Sequence, residues 1–352
     1  MKIHVYFHRD FDGIFSAAVF SAYVKGAISS DAQFDFIPVD YDIKNTWGNR
    51  RLEKPSAIVD FLYHPDAEWW FDHHETTFVR KDWELLYTPD AQHIWRTTYK
   101  SCPRLIVDAI AAPKIKNELQ VRFSESLYWC DLIDSAAYGS PQQVIDCVEP
   151  ALQINATLIQ APSSEYLTFL IDCLERLSLA NTAGLEEVKS RFLKTRAWQE
   201  NAIEYIRKTA IVSKGAAFID FTARSELFHR YAVYYLWPDI AFQVALYKRG
   251  GSYRLTVGAN PWRPSNEPNL GAICEQYGGG GHQDVAGVIA QSRKDALRIG
   301  NEIIRILRKE SPFHQQLSFR HDVSARDAIQ QAQHLGSTHA GIQPTVDKPQ
   351  PV

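Results

Sequence analysis

The sequence has 352 residues, 45% of them apolar and 22% charged, with a formal net charge of -3. That length suggests two hydrophobic cores rather than one, and the composition is that of a globular protein. The mild negative charge argues against a surface coated in basic residues for long duplex DNA, while leaving room for a local groove that takes a short strand or a nucleotide.

Residues 2–7 (KIHVYF) read as a strand, HRDFDG as a charged loop and IFSAAVFSAYVKGA as a helix rich in small residues, the opening of an α/β domain. Further strands are expected at 34–40, 56–61 and 68–72, and helices at 101–112, 119–133, 141–160 and 164–180. This order implies a parallel sheet with crossover helices and ligands at the carboxyl ends of its strands. Residues 184–212 read as one long connecting helix. Beyond it AAFIDFT, YAVYYLWP and IAFQVALYK read as strands, KRGGSYRL as a hairpin turn, LGAICEQYG as a short helix and DALRIGNEIIRILRKE as a closing helix. The expected architecture is an N-terminal α/β domain (1–183), a connector (184–212), a smaller α+β domain (213–317) and a disordered polar tail (318–352). The insert at 79–100, with Trp83 and Trp95, reads as packing.

The five cysteines, Cys102, Cys130, Cys147, Cys173 and Cys274, form no CxxC pair and are odd in number, so a disulfide framework or zinc ribbon is not expected. The segment MKIHVYFHRDFDG breaks into charge too early for a signal peptide, and no apolar run approaches the ~20 residues of a membrane span. The expectation is a cytoplasmic protein without a membrane partner, its oligomeric state undetermined.

Chemistry concentrates at strand ends. His8, Asp10 and Asp12 alternate after the first strand, so they could converge on a cation, although a solvated turn would look the same. Asp60 ends SAIVD, where an acid can point into a cleft or merely cap a turn. In FDHHETTF, Asp72, His73 and His74 follow a strand; one imidazole could bind metal while its neighbour faces substrate, with Asp72 orienting a ring or ligating directly. Asp131 and Asp134 share a helix face at spacing i, i+3. Carboxylates with imidazoles and no thiolate suit Mn²⁺, with Mg²⁺ as the alternative.

HRDFDG, the aspartate ending SAIVD, the DHH triplet and the later aspartate resemble, in order, the motifs of the DHH phosphoesterase superfamily of RecJ-type exonucleases and oligoribonucleases. YGGGGHQDVAG resembles the GGGH signature of its associated C-terminal domain. The resemblance implies two divalent cations, with His8 and Asp10 on one, Asp12, His73 and Asp134 on the other (Asp131 remaining the rival) and Asp60 bridging. His74 would face the scissile phosphate, and water activated between the cations would attack it. Gly279, Gly280, Gly281 and His282 would contact substrate. The family's serine–arginine strand motif is missing, and Arg254 and Arg263 are its candidate substitutes. Trp262 and Tyr277 could stack on a base or belong to the core. The implied activity is hydrolysis of phosphodiester or phosphomonoester bonds in nucleotides or short single-stranded nucleic acids. The alternatives are a pyrophosphatase or polyphosphatase, and a non-catalytic nucleotide sensor.

Overall fold

Four hydrophobic strand segments near the N-terminus, Lys2–His8 (β1), Gln33–Val39 (β2), Ser56–Val59 (β3) and Trp69–Asp72 (β4), pair in parallel and are joined by a fifth, His93–Trp95 (β5). The strand order is β2-β1-β3-β4-β5, so all five carboxyl ends open on one edge. The computed structural model describes residues 1–159, 162–224, 229–263 and 268–310. No described helix is long and apolar enough to cross a membrane.

The fifth strand comes out of the 79–100 insert. Trp83 is buried, and Trp95 packs partly buried with it in an aromatic layer on one face of the sheet, together with Trp47, Phe61 and Trp70. The insert therefore packs and also extends the sheet. The helix Phe11–Ala27 covers the opposite face and is apolar on nearly every side, because it is itself covered by the helices Cys102–Ala109, Ser124–Asp134 and Ser164–Arg176. Gly13 is required at its start: a Cβ there would lie 2.0 Å from the His8 carbonyl oxygen.

Three expected helices are divided. Phe123 separates Pro113–Arg122 from Ser124–Asp134. Cys147, at φ +46°, and Pro150 break 141–159 into Pro141–Asp146 and Pro150–Ala156, proline having no amide to continue a ladder. Ser164–Arg176 is followed by a separate helix, Leu179–Gly184, capped by Ser178. The stretch expected as a connector contains one helix, Glu186–Thr209.

The second sheet contains Ile211–Ser213 (β6), Ala216–Asp220 (β7), Phe242–Arg249 (β8), Ser252–Ala259 (β9), Gly280–Gly281 (β10) and Val285–Ala290 (β11), in the order β10-β11-β9-β8-β7-β6. The β8–β9 hairpin turns at Gly250, whose φ is +54°. The helix Arg293–Glu310 packs its apolar stripe on one face. One expectation is corrected here. YAVYYLWP is not a strand but contains the helix Ala232–Leu236, which packs on the connector and on Pro141–Asp146. Its apolar run has no alternation, and burial on several sides, with Ala232, Val233 and Tyr234 all enclosed, overrides the strand preference of its valine and tyrosines. Both sheets lie within the unit Met1–Ser311, and the segment expected as a tail lies outside the described residues.

Candidate metal centre

The carboxyl edge of the first sheet gathers the singled-out acids and imidazoles. His8 is the last residue of β1. Asp10 caps the following helix, accepting the Gly13 amide at 2.9 Å, and its other oxygen lies 2.8 Å from His8 Nδ1. Asp12, in the first helical turn, is buried and accepts the Cys102 amide at 2.8 Å. Asp60 follows β3 with φ +56°, which ends that strand two residues earlier than expected and aims a fully buried carboxylate into the cluster. Left-handed backbone at a non-glycine residue is uncommon and concentrates at functional sites.

Asp72, at the end of β4, holds the next two residues. Its Oδ1 accepts the His73 amide at 2.9 Å and lies 2.8 Å from His74 Nδ1, while Oδ2 accepts the Thr77 hydroxyl. Both oxygens are thus committed to orientation. His73 donates from Nδ1 to the Tyr99 carbonyl at 3.1 Å, which leaves Nε2 free as a ligand atom. That Nε2 lies 3.4 Å from Asp12, 3.5 Å from Asp60 and 3.5 Å from Asp134. Asp60 also lies 3.7 Å from His8 Nδ1 and 3.6 Å from His74 Nδ1. The ligand atoms fall into three sets able to hold an ion: His8, Asp10 and Asp60; Asp60, His73 and His74; and Asp12, His73 and Asp134. Asp131 is directed elsewhere, accepting from Ser101 at 2.6 Å and from Arg104.

The electrostatics are those of crowded negative charge. Burial alone would lower the His8 pKa, but Asp10 and Asp60 push it up to about 11. Burial opposes His73 in the same way, and Asp12 and Asp60 raise it to about 12. His74 rises to about 9 because Asp72 and Asp60 outweigh burial. Burial, then Asp60 and Asp10, lift Asp134 to about 7. Burial and Asp60 raise Asp12, whereas Asp60 is held below the usual carboxylate range because His73 and His8 overcome its burial. Carboxylates packed this closely call for compensating cations, either protons on the imidazoles or metal ions.

The unpaired atoms fit a metal. Asp12 Oδ1, both oxygens of Asp60 and His73 Nε2 are buried without a hydrogen-bond partner, a costly state that coordination would relieve. The donors are oxygen and imidazole nitrogen, the set that suits Mn²⁺ or Mg²⁺. The neighbouring thiol of Cys102 donates to the Phe71 carbonyl and is kept protonated, chiefly by its burial.

Residues assigned to substrate contact lie on the second sheet (Gly280, Gly281, Arg254) or directly beside it (Gly279, His282). Gly280 and Gly281 form β10, and a Cβ at Gly279 would lie 2.1 Å from the Gly287 carbonyl oxygen, so the glycine run permits close strand approach. His282 and Arg254 are exposed. Among the described residues no hydrogen bond or ion pair joins Gly279, Gly280, Gly281, His282 or Arg254 to the cluster. Trp262 is a packing residue: its indole donates to the Tyr138 carbonyl at 2.8 Å and packs against Tyr231. Tyr277 packs partly buried on the second core, and Arg263 binds Asp239.

Tyr41 was missed in the sequence. It follows β2 and packs its ring edge-on to His8 at 5.0 Å and to His74 at 6.0 Å. The rule that flagged Asp60, that ligands gather at carboxyl strand ends, applies equally to VDY at 39–41.

No family model and no curated protein matches the sequence. Solved structures do. A pGpG-specific phosphodiesterase, PggH from Vibrio cholerae, superposes with a TM-score of 0.70 at 19% identity, over 88% of this chain and 100% of that one. Exonuclease RecJ bound to manganese gives 0.50 at 11% identity, over 90% and 92%. Likeness at such identities is likeness of fold, and the chain has the DHH/RecJ-type fold, a parallel sheet carrying the DHH motif followed by a second, mixed sheet.

Proposed function

We propose that this protein is a metal-dependent phosphoesterase that hydrolyses phosphodiester or phosphomonoester bonds of nucleotides or short single-stranded nucleic acids. The observation that carries the reading is the buried Asp60 carboxylate, which has no hydrogen-bond partner and stands between the His8/Asp10 pair and the Asp12/His73/Asp134 set. In this reading His8 and Asp10 would hold one cation, Asp12, His73 and Asp134 would hold the other, and Asp60 would serve both. Bound there, two Mn²⁺ or Mg²⁺ ions would supply the positive charge that activates an attacking water and offsets charge developing on the phosphoryl oxygens.

The remaining work falls to the chain. Asp72, itself fixed by Thr77, sets the His74 ring, whose side chain is 31% exposed and which would donate a hydrogen bond to the scissile phosphate. Gly279, Gly280, Gly281, His282 and Arg254 would hold the far end of the substrate, with 1–183 as the catalytic domain, 184–212 as the connector and 213–317 as the substrate domain. The likeness to a pGpG-specific enzyme along its whole length makes a linear dinucleotide the first substrate to try. The five described cysteines are all unpaired, which supports a reducing, cytoplasmic setting.

The test is purified full-length protein with Mn²⁺ against pGpG, short oligoribonucleotides, single-stranded DNA, cyclic dinucleotides, pAp, pyrophosphate and polyphosphate. Mn²⁺-dependent hydrolysis of a nucleotide substrate is expected. Turnover confined to pyrophosphate or polyphosphate, or no turnover at all, would overturn the reading.

A further inference from the structure

One short segment touches two residues of one candidate cation site and the helix that carries a third. At residue 99, the Tyr99 carbonyl accepts the Nδ1 proton of His73 at 3.1 Å. Three residues later the Cys102 amide donates to Asp12 at 2.8 Å. Between and beyond them, Ser101 and Arg104 bind the two oxygens of Asp131, which lies one helical turn before Asp134 on Ser124–Asp134. Residues 99–104 therefore orient His73 and Asp12 directly, and fix Asp134 through the helix that carries it.

The other site is built differently. His8 and Asp10 are neighbours on one turn, Asp10 is held by the Gly13 amide within that turn, and His8 is braced by the Tyr41 and Phe61 rings. Among the described residues no hydrogen bond or ion pair reaches His8 or Asp10 from 99–104.

Resting on the metal reading above, we propose that residues 99–104, clamped to Asp131 through Ser101 and Arg104, are the positioning scaffold of the Asp12/His73/Asp134 site alone, so that the two cation sites can be weakened separately. Arg104 and Asp131 act through the ligands and touch neither ion. Outer groups that orient ligands change metal affinity on the order of 10–100-fold when removed. The Arg104–Asp131 pair stands at 37% and 20% side-chain exposure, so its loss should leave the fold intact.

Calorimetric titration of Mn²⁺ into the metal-free full chain, with electron paramagnetic resonance to count bound ions, tests this. Wild type should bind two ions. Arg104→Ala and Asp131→Asn should each weaken one binding step on the order of 10–100-fold and leave the other unchanged. Arg104→Lys should recover only part, since an ammonium keeps the charge and loses the directed Nε–H donor. Ser101→Ala, which removes a single hydroxyl, serves where a larger change fails to fold. Equal weakening of both steps, or no change in either, would overturn the scaffold. A wild-type protein that takes up no Mn²⁺ would overturn the metal reading itself.

Discussion

The ring nitrogen Nε2 of His73 lies 3.5 Å from Oδ1 of Asp60, and neither atom has a hydrogen-bond partner. Both are buried, and each lies within reach of other ligand atoms. That relationship places Asp60 at the centre of the cluster.

Asp60→Asn is the sharper test of that centre than Asp60→Ala. Asparagine tolerates the left-handed backbone at φ +56° and keeps the shape while removing the charge; alanine adds backbone strain. Mn²⁺-dependent turnover should fall below detection while the circular dichroism spectrum and melting temperature stay near those of wild type. Wild-type turnover in a folded Asp60→Asn variant would rule out a central role.

Metal binding should expel protons. In the metal-free protein His8 and His73 are raised to about 11 and about 12, and Asp134 to about 7, so protons occupy the ligand atoms at neutral pH. Ligands bind metal deprotonated, so apparent Mn²⁺ affinity should rise with pH through the range in which Asp134 and then the His8 and His73 imidazoles lose theirs. Calorimetry in two buffers of different ionisation enthalpy measures the release; equal heats in both would contradict it.

Gly13→Ala should be strongly destabilising. The added methyl would meet the His8 carbonyl oxygen at 2.0 Å, a backbone atom that cannot swing aside. Overpacking of this kind costs about 1–3 kcal/mol or more, and here it would also displace His8. Urea denaturation of the metal-free protein reads the first effect, and Mn²⁺ affinity the second.

Thr77→Val removes the hydroxyl that donates to Asp72 Oδ2 and leaves a buried carboxylate oxygen unpaired. His74 loses its fixed support. A fall in kcat on the order of 10–100-fold, with Mn²⁺ stoichiometry unchanged, is the expected result. An unchanged kcat would mean that Thr77 contributes only packing.

Much of the acid and imidazole cluster was legible because its members fall in short strings at strand ends. In HRDFDG and DHH the spacing itself places neighbouring side chains, and an apolar strand before an acid marks the carboxyl edge of a sheet. Asp131 against Asp134 was undecided, since a spacing of three puts both on one helical face; the Ser101 and Arg104 contacts turn Asp131 aside. Tyr99 carries no sequence signal, because it acts through its carbonyl, and Cys102 acts through its amide. Every residue offers those same backbone groups.

Local pattern, then, determined the parallel sheet, the long helix Glu186–Thr209, the hairpin at Gly250 and which acids and imidazoles stand at the strand ends, since period and side-chain chemistry are written residue by residue. Tertiary structure decided that YAVYYLWP contains a helix, that the 79–100 insert yields a strand, that Trp262 packs against Tyr138 and which segment hydrogen-bonds Asp12 and His73. The physical reason is that burial and hydrogen-bond partnering depend on which distant segments meet, and that is a property of the packed chain.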